Sequence, residues 1–231
     1  MQRAVNYIDN TATMMGNKTV YKAIDKVLSK LSWPVYHAHH NRWMEIVSDN
    51  TTQIHTIYMD NGSDKPLRAI EYLHELGHAY LAERNSIFCV HRFRSDDCDI
   101  NSIMPMLSNP VKSTSDWFVD DLLYQWCPDE EKAEIAEHVE YIRQIAASIK
   151  KYSPDAYIAA FLVAQGVYYL KHRRNITALA NINELVAYFL SVPPAKPTTG
   201  NFSILFNALL APLGYVARWV PGDAVWDVRR R

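Results

Sequence analysis

Five consecutive residues, His74-Glu75-Leu76-Gly77-His78, put two imidazoles four positions apart with a carboxylate directly after the first. On an α-helix, residues four apart sit one turn apart on the same face, so both rings can reach a single tetrahedral ion. Glu75 lies about 100° around the helix from His74. It can border such an ion without ligating it, and from there accept a proton from a metal-coordinated water. A zinc ion suits this chemistry, because it takes imidazole ligands and lowers the pKa of its water to about 7. The H-E-x-x-H pattern therefore nominates His74 and His78 as ligands and Glu75 as a catalytic base. Gly77 adds to the reading: glycine inside a helix costs about 1 kcal/mol against alanine, which suggests close approach of another backbone or of substrate.

The chemistry requires a helix, and the flanking sequence supplies one. Leu67, Ile70, Leu73, His74, Gly77, His78 and Leu81 recur at helical spacing. The helix is expected to begin near Ser63 or Asp64, either of which can cap it, with Pro66 in its first turn, and to stop around Asn85. Upstream, residues 17–31 have helical spacing, residues 33–40 and 43–47 look extended, and residues 54–59 read as a further strand. Turn residues at Ser48-Asp49-Asn50 predict a hairpin over residues 43–59, and Asp60-Asn61-Gly62 closes its second strand. Residues 86–113 have no clear period and read as irregular around two prolines. A helix resumes near Ser115 and stops before Pro128.

The segment Ser115-Asp116-Trp117-Phe118-Val119-Asp120-Asp121 holds an acidic pair, Asp116 and Asp120, at one-turn spacing. It is either a candidate source of a third ligand or a helix cap followed by a solvated acidic face. His91, thirteen positions past His78, Cys89 and Cys98 are weaker ligand candidates. Glu83 falls more than a turn beyond His78 and is expected to face solvent. His37, His39 and His40 either line a cleft or pack within a strand.

The motif and its setting resemble the zincin metallopeptidases, and are most similar to the cytoplasmic ImmA/IrrE-type peptidases, over roughly residues 54–128. The resemblance implies an α+β zincin-like domain with a small antiparallel sheet and an active-site helix, and a peptide laid antiparallel along the strand at residues 54–59 by edge addition. It also implies an acidic third ligand on the following helix. The family's usual Glu-rich segment is absent, so Asp116 is the position that would ligate. Asp120 would then orient a zinc-bound histidine from the second shell.

Beyond Pro128 the pattern is helical: residues 130–151, then 154–172 with Ser153 as cap, then 176–190. Residues 191–200, with Pro193, Pro194 and Pro197, read as a linker, and residues 201–220 as a last helix bent near Pro212 and Gly214. The expected organisation is a zincin-like domain over residues 1–128 and a mostly α-helical region over 129–231, either packed on it or forming one continuous domain with it. Aromatic residues in the helices, such as Tyr157, Phe161, Phe202 and Phe206, are core material at this spacing.

The chain has 231 residues, 48% hydrophobic and 21% charged, which is enough to bury a core. Its 24 basic and 25 acidic residues give a net charge of -1, so bulk attraction to nucleic acid or to anionic membranes is not expected. Cys89, Cys98 and Cys127 form no C-x-x-C pair and suggest reduced thiols. Residues 1–16 lack the apolar core of a secretory signal, and the longest apolar stretch, residues 157–170, is too short to span a bilayer. A soluble, cytoplasmic protein acting on a peptide or protein substrate is the expectation, with oligomeric state open. The leading function is zinc-dependent peptide hydrolysis. The alternative is a zinc-binding regulatory or partner-binding protein on the same scaffold without proteolysis. A deformylase-like hydrolase fits less well, because such enzymes supply a cysteine ligand upstream of the motif and every cysteine here lies downstream.

Overall fold

The structure is a computed structural model and describes residues 18–40, 44–60, 68–171 and 180–231. It is mixed α+β, mostly helical, with two small sheets. The expectations placed on residues 1–17, on Trp43, on the turn at Asn61-Gly62, on Ser63, Asp64, Pro66 and Leu67, and on the helix start at Ile176 lie outside the described residues.

The chain divides into two compact units, Met1–Val90 with Leu122–Glu130, and His91–Asp121 with Glu131–Arg231. In the first, helix α1 (Lys18–Leu28) turns Val20, Ala23, Ile24 and Val27 into the core at helical spacing. Strands β1 (Val35–His40), β2 (Glu45–Asp49) and β3 (Ile54–Asp60) follow. The expected hairpin is present: β2 pairs antiparallel with β3, with Ile46 opposite Ile57. β1 pairs parallel with β3, so the order is β1-β3-β2 and the sheet is mixed rather than antiparallel. This corrects the expected peptide edge, because β3 is flanked on both sides and its backbone groups are committed to its neighbours.

Helix α2 (Ala69–Ala82) carries the motif and buries Leu73, Leu76, Gly77 and Leu81. It starts later than expected, because Arg68 is extended (φ -81, ψ 129) and acts as the N-cap without a capping side chain. It ends at Ala82, with Glu83 as its C-cap.

Helix α3 (Ile100–Trp126) is the largest departure from expectation, running 27 residues through Pro105 and Pro110 where an irregular segment was predicted. A proline's fixed φ is compatible with a helix, and what it removes is one hydrogen bond and some local space. Burial of Ile103, Leu107, Val111, Thr114, Trp117 and Phe118 along one stripe holds the helix together across both prolines. Thr114 Oγ1 also donates to the Pro110 carbonyl at 2.7 Å.

In the second unit, α4 (Pro128–Ile145) and α5 (Pro154–Leu170) are followed by α6 (Asn183–Leu190) and α7 (Thr199–Leu210). Ser153 caps α5 as expected, accepting from Ala156 N at 3.3 Å. Gly166 on α5 permits close passage of α4: a Cβ there would meet Val139 Cγ2 at 2.6 Å. Residues 191–198 are packed rather than a free linker, with Val192 buried and its carbonyl accepting from Trp117 Nε1 at 2.9 Å.

The predicted final helix stops at Leu210, and a hairpin takes its place. Strands β5 (Tyr215–Val220) and β6 (Val225–Arg230) pair antiparallel, and the short β4 (Phe93–Arg94) joins β6 in parallel. Tyr215, Ala217 and Trp219 alternate inward, which is a strand's period of two. Among the described residues no helix is long and apolar enough to cross a membrane.

Candidate metal centre

His74 and His78 stand four positions apart on α2, and the structure turns that spacing into convergence. Their Nε2 atoms are 3.1 Å apart, with the rings nearly edge-on at 73° and centroids 4.8 Å apart. Two ligands of a tetrahedral zinc, each about 2.0–2.1 Å from the ion, stand about 3.3 Å from one another. The two imidazoles are thus already spaced as adjacent corners of such a site. Among the described residues, one potential ligand atom from each of His74, His78 and Asp116 falls within 4.8 Å of the other two, a group that could hold a metal ion. All three residues are half-buried, which shields the donors without sealing them. Two neutral nitrogens and one carboxylate oxygen are a donor set that zinc accepts, with a fourth corner left for water or substrate.

Glu75 is half-buried beside His74. Its Oε2 accepts a hydrogen bond from Ile46 N at 2.8 Å. Ile46 stands opposite Ile57 in the antiparallel ladder, and its N–H points away from β3, toward α2. A charge-assisted bond from a strand amide orients the carboxylate without using the face that the two histidines share.

The other acidic residues of α3 are not a solvated face. Asp120 and Asp121 are both buried; Asp120 Oδ2 accepts from Gln165 Nε2, and Asp121 Oδ1 accepts from Tyr169 OH at 2.9 Å. His91 is ring-packed on Phe202, with centroids 5.7 Å apart. Cys89, Cys98 and Cys127 form no disulfide. Cys89 lies against the Ala82 carbonyl at 3.7 Å, and burial pushes its thiol up to about 11, away from the thiolate that a metal would need. His37 Nε2 is 3.0 Å from Tyr72 OH, a packing pair within the first unit.

Sequence reasoning missed a second polar cluster. Glu83, expected to face solvent, is half-buried with its side chain only 7% exposed, and its carboxylate accepts from Ser32 N at 2.8 Å and from Trp33 N at 2.7 Å. It also meets His55 Nε2 at 3.2 Å, while His55 Nδ1 lies 2.8 Å from Ser48 Oγ. An ionised carboxylate can only accept, so Nε2 carries the ring proton and Nδ1 accepts from the serine hydroxyl. The order Ser-His-Glu matches that of a nucleophilic triad. However, Ser48 is only 3% exposed and His55 0%, so no substrate reaches the hydroxyl and the cluster is a structural tie between β2, β3 and the end of α2.

Burial lowers the His55 pKa from 6.5, only partly opposed by Glu83. Burial alone would raise the Glu83 pKa, but the Trp33 and Ser32 amides and His55 outweigh it and hold it below 4.5. Both shifts have the same sign for folding. The unfolded chain binds more protons at each group, so their contribution is complete above the unfolded value and is lost on acidification. Stability should therefore fall as the pH drops below about 6.5, and fall again below about 4.5. Urea midpoints measured from pH 8 to pH 4 check this. His55→Gln should flatten the first limb, and an unchanged limb in that variant would refute the assignment.

Set against protein-family models, curated proteins and solved structures, the chain matches none of them.

Proposed function

We propose that this chain is a zinc-dependent peptidase with a zincin-like arrangement of strand hairpin and motif helix. The observation that carries the reading is the convergence of His74, His78 and Asp116 ligand atoms within 4.8 Å of one another, with Glu75 held beside them. Zinc bound there would polarise a substrate carbonyl and make a water nucleophilic near neutral pH. The chain's own residues would do the rest. His74 and His78 would hold the ion through Nε2, the atoms that lie 3.1 Å apart, which would leave each Nδ1 as the protonated nitrogen. Asp116 contributes an oxygen and neutralises part of the ion's charge. Glu75, aimed by the Ile46 amide, accepts the proton from the attacking water and returns it to the leaving amine.

The third ligand is the part of the reading that the sequence least determines, and it is the point to test. Asp116→Ala should bind zinc at least about a hundredfold more weakly than the parent, because losing a ligand exceeds the ten- to hundredfold typical of an outer-shell change. Asp116→Glu should recover part of the affinity. A competition titration against a chromogenic chelator reads both. Unchanged affinity in the alanine variant would exclude Asp116 as a ligand and leave the H-E-x-x-H pair standing.

A further inference from the structure

Strand register in the second unit gathers arginines on one sheet face. Arg94 on β4 and Arg218 on β5 both stand directly opposite Asp227 on β6. Side chains at opposed positions share a face, and residues two apart along a strand share it as well. Arg229 therefore lies on this face with Asp227. All three arginines are exposed, Arg218 by 74% and Arg229 by 55% at the side chain. Asp227 is buried among them. Its Oδ2 alone serves both Arg218 and Arg229, at 3.3 Å each. Arg94 is held by Asp223 at 2.8 Å. Three guanidinium groups thus stand beside Asp227 and Asp223, in a chain whose net charge is -1.

We propose that this face docks an acidic polypeptide segment carrying apolar residues between its carboxylates. Charge complementarity sets the sign of the partner. The apolar part follows from Val216, 37% exposed on the same face between Arg218 and the chain end of β5. A nucleic acid fits less well, because single strands need exposed rings on which bases stack. The rings of these strands are turned the other way: Tyr215, Trp219 and Trp226 are buried, with Trp226 against Phe206 at 4.8 Å. Arg94 and Arg218 on the strands either side of β6, with Arg229 two residues along from Asp227, present guanidinium groups that can each form bidentate bonds to a carboxylate of an extended peptide. This inference does not depend on the metal centre.

The test uses the full chain and a fluorescein-labelled peptide of alternating glutamate and valine, read by anisotropy. Its glutamine-for-glutamate analogue and a single-stranded oligonucleotide serve as comparisons. The glutamate peptide should bind, the glutamine analogue should bind at least about tenfold more weakly, and added salt should weaken the complex. Arg218→Gln with Arg229→Gln should cost at least about threefold. Asp227→Asn, which removes the competing carboxylate, should tighten binding, so the proposal can be judged even if the arginine variant folds poorly. No binding of the glutamate peptide, tighter binding of the oligonucleotide, or affinity unmoved by these substitutions would overturn it.

Discussion

Alanine at His74 or at His78 should strip the purified protein of zinc. In the proposed centre each imidazole is one of three protein donors, and two donors cannot hold zinc in a tetrahedral site against dilution and dialysis. The loss should be at least about a hundredfold in affinity, exceeding the ten- to hundredfold effect of outer-shell changes. The fold should survive, since both residues are half-buried while the stripe that packs α2, including Leu73, Leu76 and Leu81, is untouched. Metal analysis of parent and variants, with circular dichroism as a folding control, decides the matter. About one zinc per chain in the parent and none in either variant is the expected pattern. A double variant that still carries stoichiometric zinc would remove the metal centre altogether.

Glu75→Gln should have the second large effect, and a different one. The amide keeps the side chain's shape, and its oxygen can still accept from Ile46 N, which the carboxylate contacts at 2.8 Å. Zinc content should therefore match the parent. What the amide cannot do is accept a proton, so kcat should fall by about 10²- to 10⁴-fold, the usual range for a general base, with KM little changed. Cleavage of a peptide library followed by mass spectrometry reads this once a substrate sequence emerges. A glutamine variant as fast as the parent would show that Glu75 is not the base. A parent that holds zinc and cleaves nothing would instead favour the non-proteolytic, zinc-binding alternative.

The parts of the fold that local periodicity governs were legible in the sequence. The motif helix, the three strands at residues 35–60, the pairing of β2 with β3 as a hairpin and the Ser153 cap all follow from the order of apolar and turn residues. Strand order was not legible, because parallel pairing of β1 with β3 depends on contacts remote in sequence. The α3 stripe at Ile103, Leu107, Val111 and Thr114 is readable once Pro105 and Pro110 are not treated as terminators. Residues 215–220 alternate as a strand does, but they follow the apolar run of α7 so closely that the helical period was carried too far. At the site, the five-residue motif announced itself. Asp116 needed the position of a second helix, and Glu83 needed the knowledge that Ser32 and Trp33 present their amides where α2 ends.

The first unit is assembled from two stretches of chain, Met1–Val90 and Leu122–Glu130. Within it the ring of Trp126 packs edge-on against Tyr80, with centroids 5.5 Å apart. Order of synthesis then matters. When the H-E-x-x-H helix has left the ribosome, the residues that complete its own unit have not yet been made, and more than thirty residues of the other unit come first. A nascent chain halted before Trp126 therefore holds the motif histidines on an unfinished scaffold, and completion of their unit is a late event in the life of the polypeptide.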